Sequence, residues 1–297
     1  MIKKATSILL VASILVSQIS NAYNDPKNYQ EVELQSLDEL MTLFKKHKYT
    51  SKDWQNGSRE VPRLTFEGVS ETWKTTSSHI PVQQKKQVFF RLMAPLVLMS
   101  NENILAERKI VESADASSTA LLAIAKKYHV VKGTPENLTK EQRQLLLEKV
   151  DIMPASLALA QAAEESGWAT SRFTEEGNAF FGQWDFSGKG MVPKQQRKEL
   201  GNYGLARFDS PLGSVEGYMF NINTTSAYQK LRSLRAQLRQ DNKAITGLEL
   251  AGTLDKYSER GQAYIDSIRS MIRYNKLQDV DEAYLSDTIL IKLVSTN

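Results

Sequence analysis

The chain contains no cysteine and only three histidines, His47, His79 and His129, among 297 residues. Without thiols, cysteine peptidases, thiolate metal sites and cysteine-linked lipid anchors are excluded, and the fold must rest on its core without disulfides. The histidines show no H-x-x-x-H or H-E-x-x-H spacing, so a zinc amidase or peptidase is not expected, and no metal or cofactor is. A G-x-S-x-G nucleophile elbow is missing too. "GQWDFSGKG" (182–190) does not make a phosphate loop: five residues separate Gly182 from Gly188, and Gly190 follows Lys189 where Ser or Thr is required. Carboxylate chemistry is what remains for a hydrolase.

Long apolar runs are scarce as well. "ATSILLVASILVSQIS" (5–20), preceded by Lys3 and Lys4, is short and interrupted for a membrane span, and it ends in "SNA". It reads as a signal peptide (1–22) cleaved after Ala22, with an uncleaved anchor as the alternative. No later stretch reads as apolar enough to cross a bilayer, so the expected product is periplasmic or secreted. The chain carries 38 basic and 34 acidic residues, net +4, and cleavage removes two lysines and no acid, leaving +2. That balance does not point to nucleic acid. The local basic run "KLRSLRAQLR" (230–239) reads as a solvated helix face.

What is present is mostly helical. "SLDELMTLFKKHKY" (36–49) opens with Ser36 and Glu39 in capping-box spacing. "VPRLTFEGVSETW" (61–73) reads as extended. Apolar residues from Val82 to about Val111 recur at three- and four-residue intervals, and Pro95 is expected to kink or divide that helix. "SSTALLAIAKKYHV" (117–130) is a further helix, "KGTPENL" (132–138) reads as a linker, and Thr139 with Gln142 forms a capping box. A helix starting near Pro154 follows. From Trp168 to Phe186 lie six of the chain's 25 aromatics, among several glycines. This marks loops and short strands, with "FFGQW" (180–184) and "GLARF" (204–208) as the extended pieces. Helices resume at 210–223, 226–240 and 260–277. The class is α+β, mostly α, with a small β element.

"AQAAEESGWATS" (160–171) places Glu164 and Glu165 in the last turn of a helix, just before Gly167. A carboxylate there opposes the helix dipole at a cost of ~0.3–1 kcal/mol. The same field raises its pKa, as burial beside Trp168 would, and a protonated carboxyl is what a glycosidase needs. At about 100° per residue, Glu165 shares a face with Ala158 and Gln161, and Glu164 one with Leu157 and Ala160. The two glutamates therefore face different surroundings. On spacing alone, a helix that ends in solvated acids is the better reading.

"PASLALAQAAEESGWATS" followed by "NAFFGQWDF" resembles the β-N-acetylglucosaminidase domain of glycoside hydrolase family 73, found in flagellar and autolysin peptidoglycan hydrolases. Its motif, near A-Q-x-x-x-E-S-G-W-G-x-S then N-x-F-G, is matched at Ala160, Gln161, Glu165, Ser166, Gly167, Trp168 and Ser171, then at Asn178, Phe181 and Gly182. Ala169 replaces the second glycine, and one residue is inserted in the second element. "ARFDSPLGSVEGYM" and "YSERGQAYIDSI" are similar to two later family segments. The resemblance spans roughly 139–277, and the whole chain is most similar to the family's bacterial Bax-type group.

The resemblance implies a lysozyme-like glucosaminidase domain with a small β-hairpin over 136–280. A helical N-terminal region (23–135) precedes it and a C-terminal tail (281–297) follows. It implies peptidoglycan glycan strands as substrate and Glu165 as general acid. Tyr264, with Tyr257 beside it, would orient the acid or the 2-acetamido group. Gln161, Trp168, Asn178, Phe181 and Trp184 would line the substrate site, although Trp168 also reads as a packing residue and Asn178 as a loop-fixing one. Glu199 is the candidate second carboxylate, with Asp185 and Asp209 behind it. A substrate-assisted route would need none. A lytic transglycosylase or a non-catalytic glycan-binding scaffold would fit the same fold, and residues 23–135 could shape the cleft or meet an envelope protein.

Overall fold

A computed structural model describes residues 28–133, 135–194 and 203–295. The expected signal peptide and Glu199 both lie outside the described residues.

Helices form where the caps and periodicity place them. In the N-terminal half these are α1 (Leu37–Lys46), α2 (Ser51–Gln55), α3 (Trp73–His79), α4 (Val82–Ser113) and α5 (Thr119–Lys127). The C-terminal half adds α6 (Lys140–Lys149), α7 (Ala155–Ser166), α8 (Arg172–Gly177), α9 (Pro211–Thr224), α10 (Gln229–Gln240), α11 (Gly247–Leu250) and α12 (Gln262–Tyr274). Ser36 accepts from the Glu39 amide, Thr139 and Gln142 complete the capping box, and Ser210 caps a helix whose first residue is Pro211.

Pro95 does not divide α4, which runs 32 residues, about 48 Å, without a break. The ring is buried in mid-helix, and Met93, Leu96 and Val97 beside it are held in the core. Packing on both sides outweighs the one lost hydrogen bond. By length and mean hydropathy α4 would also suffice to cross a membrane, contrary to the expectation from sequence. Its apolar side chains are instead spent on the interior, where α4 meets α5, α6, α7 and α9.

The strands are β1 (Tyr29–Leu34), β2 (Glu60–Val61), β3 (Leu64–Phe66), β4 (Trp184–Asp185), β5 (Gly204–Leu205), β6 (Tyr284–Leu285) and β7 (Leu290–Ser295). The segment expected to be a C-terminal tail supplies the centre of a parallel sheet, ordered β1-β7-β3, while β6 pairs with β2. Ile291 and Leu293 point into the core, and Lys292, on the opposite face, bridges Glu31 and Glu67. The expected linker is likewise no free tether: Leu138 is buried and its amide bonds to the Ala116 carbonyl. One continuous core joins residues of both halves.

The basic run on α10 is not a solvated face. Arg232 and Arg235 are buried. Arg232 donates to the carbonyls of Ile222 and Thr225, and Arg235 to those of Glu148, Asp151 and Ile152. These carbonyls lie in or just beyond the last turns of α6 and α9, where helices leave acceptors unsatisfied, and a guanidinium can serve several at once. Burial disfavours the Asp151 charge, but Arg239, Arg235 and Arg108 outweigh it and hold its carboxyl below the usual range. The cluster ties the α6–α7 loop to α4 and α10.

Candidate active site

Helix α7 is the buried axis of the C-terminal half. Its alanines let α4, α11 and α12 approach closely, and every residue from Ala155 to Ala163 is buried. At its N-terminus the Asp281 carboxylate accepts from the Ser156 amide and hydroxyl and from the Gly247 amide. An anion there complements the helix dipole, and it comes from just beyond the expected domain end.

The motif after α7 is first of all a turn. Gly167, Trp168 and Ala169 all take left-handed φ, near 58°, 63° and 63°. The Ser166 hydroxyl accepts from the Ala169 amide and donates to the Ala162 carbonyl, while Ser171 caps α8. The left-handed backbone at Ala169 explains why glycine suits that motif position. Alanine preserves the turn here, so the departure from the motif leaves its geometry intact.

The turn leaves the two glutamates in different settings, as the helical wheel implies. Glu164 is bound by Arg260 at 2.7 Å and by the Ser267 hydroxyl at 3.1 Å. Glu165 has mainly burial around it, which raises its pKa. The Tyr264 hydroxyl bond opposes that rise, the Glu164 charge adds to it, and Arg260 opposes it. The backbone of Gly182, at φ 61°, lies so close that an added Cβ would stand 3.2 Å from Glu165 Oε2. The second motif element thus packs its main chain against the Glu165 side chain.

A Gly182→Ala substitution forces a side chain into that contact in a left-handed backbone. It is expected to lower turnover by about 100-fold or more, the scale of a roughly 1 Å misplacement. Kinetics on a folded variant checked by circular dichroism would test this.

Around Glu165 stands an aromatic wall. Tyr264, fully buried on α12, accepts from Gln161 Nε2 at 3.1 Å, and Tyr218 on α9 donates to Gln161 Oε1 at 2.6 Å. Tyr257 stacks on Tyr264 (centroids 5.4 Å, planes 11° apart) and donates to the Phe181 carbonyl at 2.9 Å. Phe181 stacks on Tyr218 at 4.0 Å. Gln161, Tyr257, Phe181 and Tyr264 are therefore brought together, but Phe181 and Gln161 are buried and act as walls and positioners, not as exposed sugar contacts.

Two expected substrate residues sit elsewhere. The Trp168 ring packs edge-on against Phe89 and Phe90 of α4, with Lys86 Nζ 5.0 Å above it, and its carbonyl accepts from the Trp73 indole. Asn178, in left-handed conformation, donates to the carbonyls of Phe208 and Glu67 and so ties the motif loop to the N-terminal region. Both read as structural because each has found a partner in the protein.

Trp184 is different. It lies half exposed on the β4–β5 hairpin, stacked with Phe186 at 6.1 Å and resting on Tyr203 at 4.7 Å. A partly exposed indole of this kind suits contact with a sugar ring. Asp185 next to it is spent on the turn, accepting from the Ser187 amide and hydroxyl, which hold its carboxyl below the usual range. Asp209 is exposed at the entry to α9.

Sequence reasoning missed Tyr218, and also Tyr228, whose ring lies 5.9 Å from that of Tyr257. Tyr218 falls within a quoted motif segment, and its helical spacing on α9 reads as ordinary core. Neither of two further cavities contains Glu165. An apolar one of about 210 Å³ lies between α1, α3 and α4 and is backed by Ala169 and Phe180. A polar one of about 470 Å³ lies between Tyr49–Arg59, α4 and residues 275–280.

Residues 140–277 match the family model described as mannosyl-glycoprotein endo-beta-N-acetylglucosaminidase. The chain is 33% identical over 199 residues to Protein bax of Escherichia coli (strain K12), covering 65% of this chain and 70% of that protein. No solved structure matches it. The lysozyme-like helical domain, the small hairpin and both similarities agree: the chain belongs to the Bax-type proteins that carry a glucosaminidase domain.

Proposed function

We propose that this protein is an exported peptidoglycan hydrolase that cleaves the β-1,4 bond on the N-acetylglucosamine side, with Glu165 as general acid. The observation that carries the reading is the Glu165 carboxyl itself: half-buried beside Tyr264, pressed by the Gly182 backbone, and raised in pKa chiefly by that burial. Such a group holds its proton until a leaving sugar oxygen takes it. Activity should therefore fall as pH rises through the Glu165 pKa, on a limb lying above the ordinary 4.5. Trp184 on the hairpin supplies a platform for the glycan, and export rests on the signal-like residues 1–22.

A second reading, a lytic transglycosylase, is favoured by one feature. Among the described residues, the carboxylate that acts on Glu165 is Glu164, which Arg260 already neutralises. One acid suffices for a transglycosylase or for a substrate-assisted hydrolase. Mass spectrometry of products from purified sacculi separates them. Reducing N-acetylglucosamine ends are expected, and anhydro-muramic ends would replace this assignment with the second reading.

A further inference from the structure

The residues that hold Tyr264 form a chain with a direction. Gln161 is completely buried, and its two amide atoms are each used once: Oε1 accepts from the Tyr218 hydroxyl, and Nε2 donates to the Tyr264 oxygen. Glu165 lies one helical turn beyond Gln161 on the same face of α7, so the Tyr264 hydroxyl that receives the Gln161 donor stands beside the Glu165 carboxyl with its own hydrogen left for it. Each of the two hydroxyl hydrogens then has an acceptor, and both amide heavy atoms of Gln161 have a partner.

The reversed chain fails at its far end. If the Gln161 amide flipped, Nε2 would donate to Tyr218 and Oε1 would accept from Tyr264. The Tyr218 hydrogen would then be buried with no acceptor, since Gln161 is its hydrogen-bond partner among the described residues. A buried donor left unpaired is costly, whereas an amide itself has no preference between its two orientations. The Tyr218 ring cannot swing away to compensate, because it is stacked on Phe181 with planes 10° apart.

We propose that Tyr218 is a positioning residue that locks the Gln161 amide, so that the chain Tyr218→Gln161→Tyr264 delivers its last proton to Glu165. This rests on the reading of Glu165 as the acid. Its consequence is a brake on burial. The directed chain favours the ionised carboxylate and keeps the acid from becoming too weak to give up its proton. The other charged and titratable groups that act on Glu165 are Glu164 on its own helix, Arg260 before α12, and the tyrosines at 228 and 257.

The test reads Glu165 directly, by carboxyl-carbon NMR titration of the full chain, with Glu165→Gln assigning the resonance. In Tyr218→Phe the amide is free to flip, Tyr264 can donate to Gln161, and a protonated Glu165 can donate to Tyr264. The Glu165 midpoint is expected to rise by roughly one pH unit, the scale of a hydrogen bond to a charged group. The alkaline limb of any glycan-cleavage profile should move with it.

Gln161→Met removes the diverting acceptor, so this variant and the Tyr218→Phe/Gln161→Met double variant are expected to titrate within a few tenths of wild type. An unshifted Tyr218→Phe, or a double variant shifted as far as the single one, would overturn the proposal. If Tyr218→Phe does not fold, a rise of about one unit in Gln161→Met alone would do the same. The titration needs no activity. An inactive wild type with the expected shifts would sink the hydrolase reading and leave this one standing.

Discussion

A chain ending at Val280 is expected to yield no cooperatively folded protein. The deletion removes β7, the central strand of the parallel sheet, and leaves β1 and β3 without a partner. It exposes the pockets filled by Leu285, Ile291 and Leu293. Each such side chain contributes about 1.5–3 kcal/mol of burial. It also takes away the Asp281 carboxylate that caps α7, worth a further ~1 kcal/mol. Together these approach the whole stability of a typical domain, roughly 5–15 kcal/mol. Differential scanning calorimetry of the truncated chain beside the full one would decide. A truncated protein melting within a few degrees of wild type would show that 281–297 is a dispensable tail after all.

The second large effect is expected at the acid. Replacing Glu165 by Gln removes the transferable proton and keeps the shape, so the glycan-cleavage rate should fall by about 10³-fold, within the range for general-acid catalysis. Stability should move the other way. Because burial raises the folded-state pKa of Glu165, the ionised carboxylate disfavours the native state once pH exceeds the ordinary 4.5. The variant should therefore melt higher than wild type at neutral pH. That advantage should shrink as pH falls through the raised pKa and vanish below 4.5, where the carboxyl is neutral in both states. Thermal melts across that range would check the sign. A variant less stable at pH 7 would contradict the burial argument.

The parts of this account that sequence revealed are those governed by local rules. Capping residues Ser36, Thr139 and Ser210 start helices where expected, and the wheel separates Glu165 from Glu164. Arg260 and Ser267 on one side, and Tyr264 and Gly182 on the other, then show what that separation is for. Non-local pairing was opaque. The strand β7 is six residues long, and its partners begin more than 200 positions earlier, so nothing near it in sequence signals a sheet.

Charge and aromatic patterns misled for a related reason. The arginines of α10 look solvated until the carbonyl ends they satisfy are placed beside them. Pro95 looks like a break until the core packs around it. Trp168 and Asn178 carry motif identity but spend it on holding the turn and the loop. Tyr218, with no motif role assigned to it, sits two hydrogen bonds from Tyr264, the neighbour of Glu165.

The central claim is that one glutamate of the adjacent pair is the proton donor and the other is an ion-paired neighbour. The most direct measurement is release of glycan fragments from purified sacculi by wild type, Glu165→Gln and Glu164→Gln, at equal concentrations of folded protein. The account predicts that Glu164→Gln stays within a few-fold of wild type, the scale expected for one partly exposed ion pair. Glu165→Gln should lose about three orders of magnitude. Equal release by wild type and Glu165→Gln, or loss confined to Glu164→Gln, would contradict it.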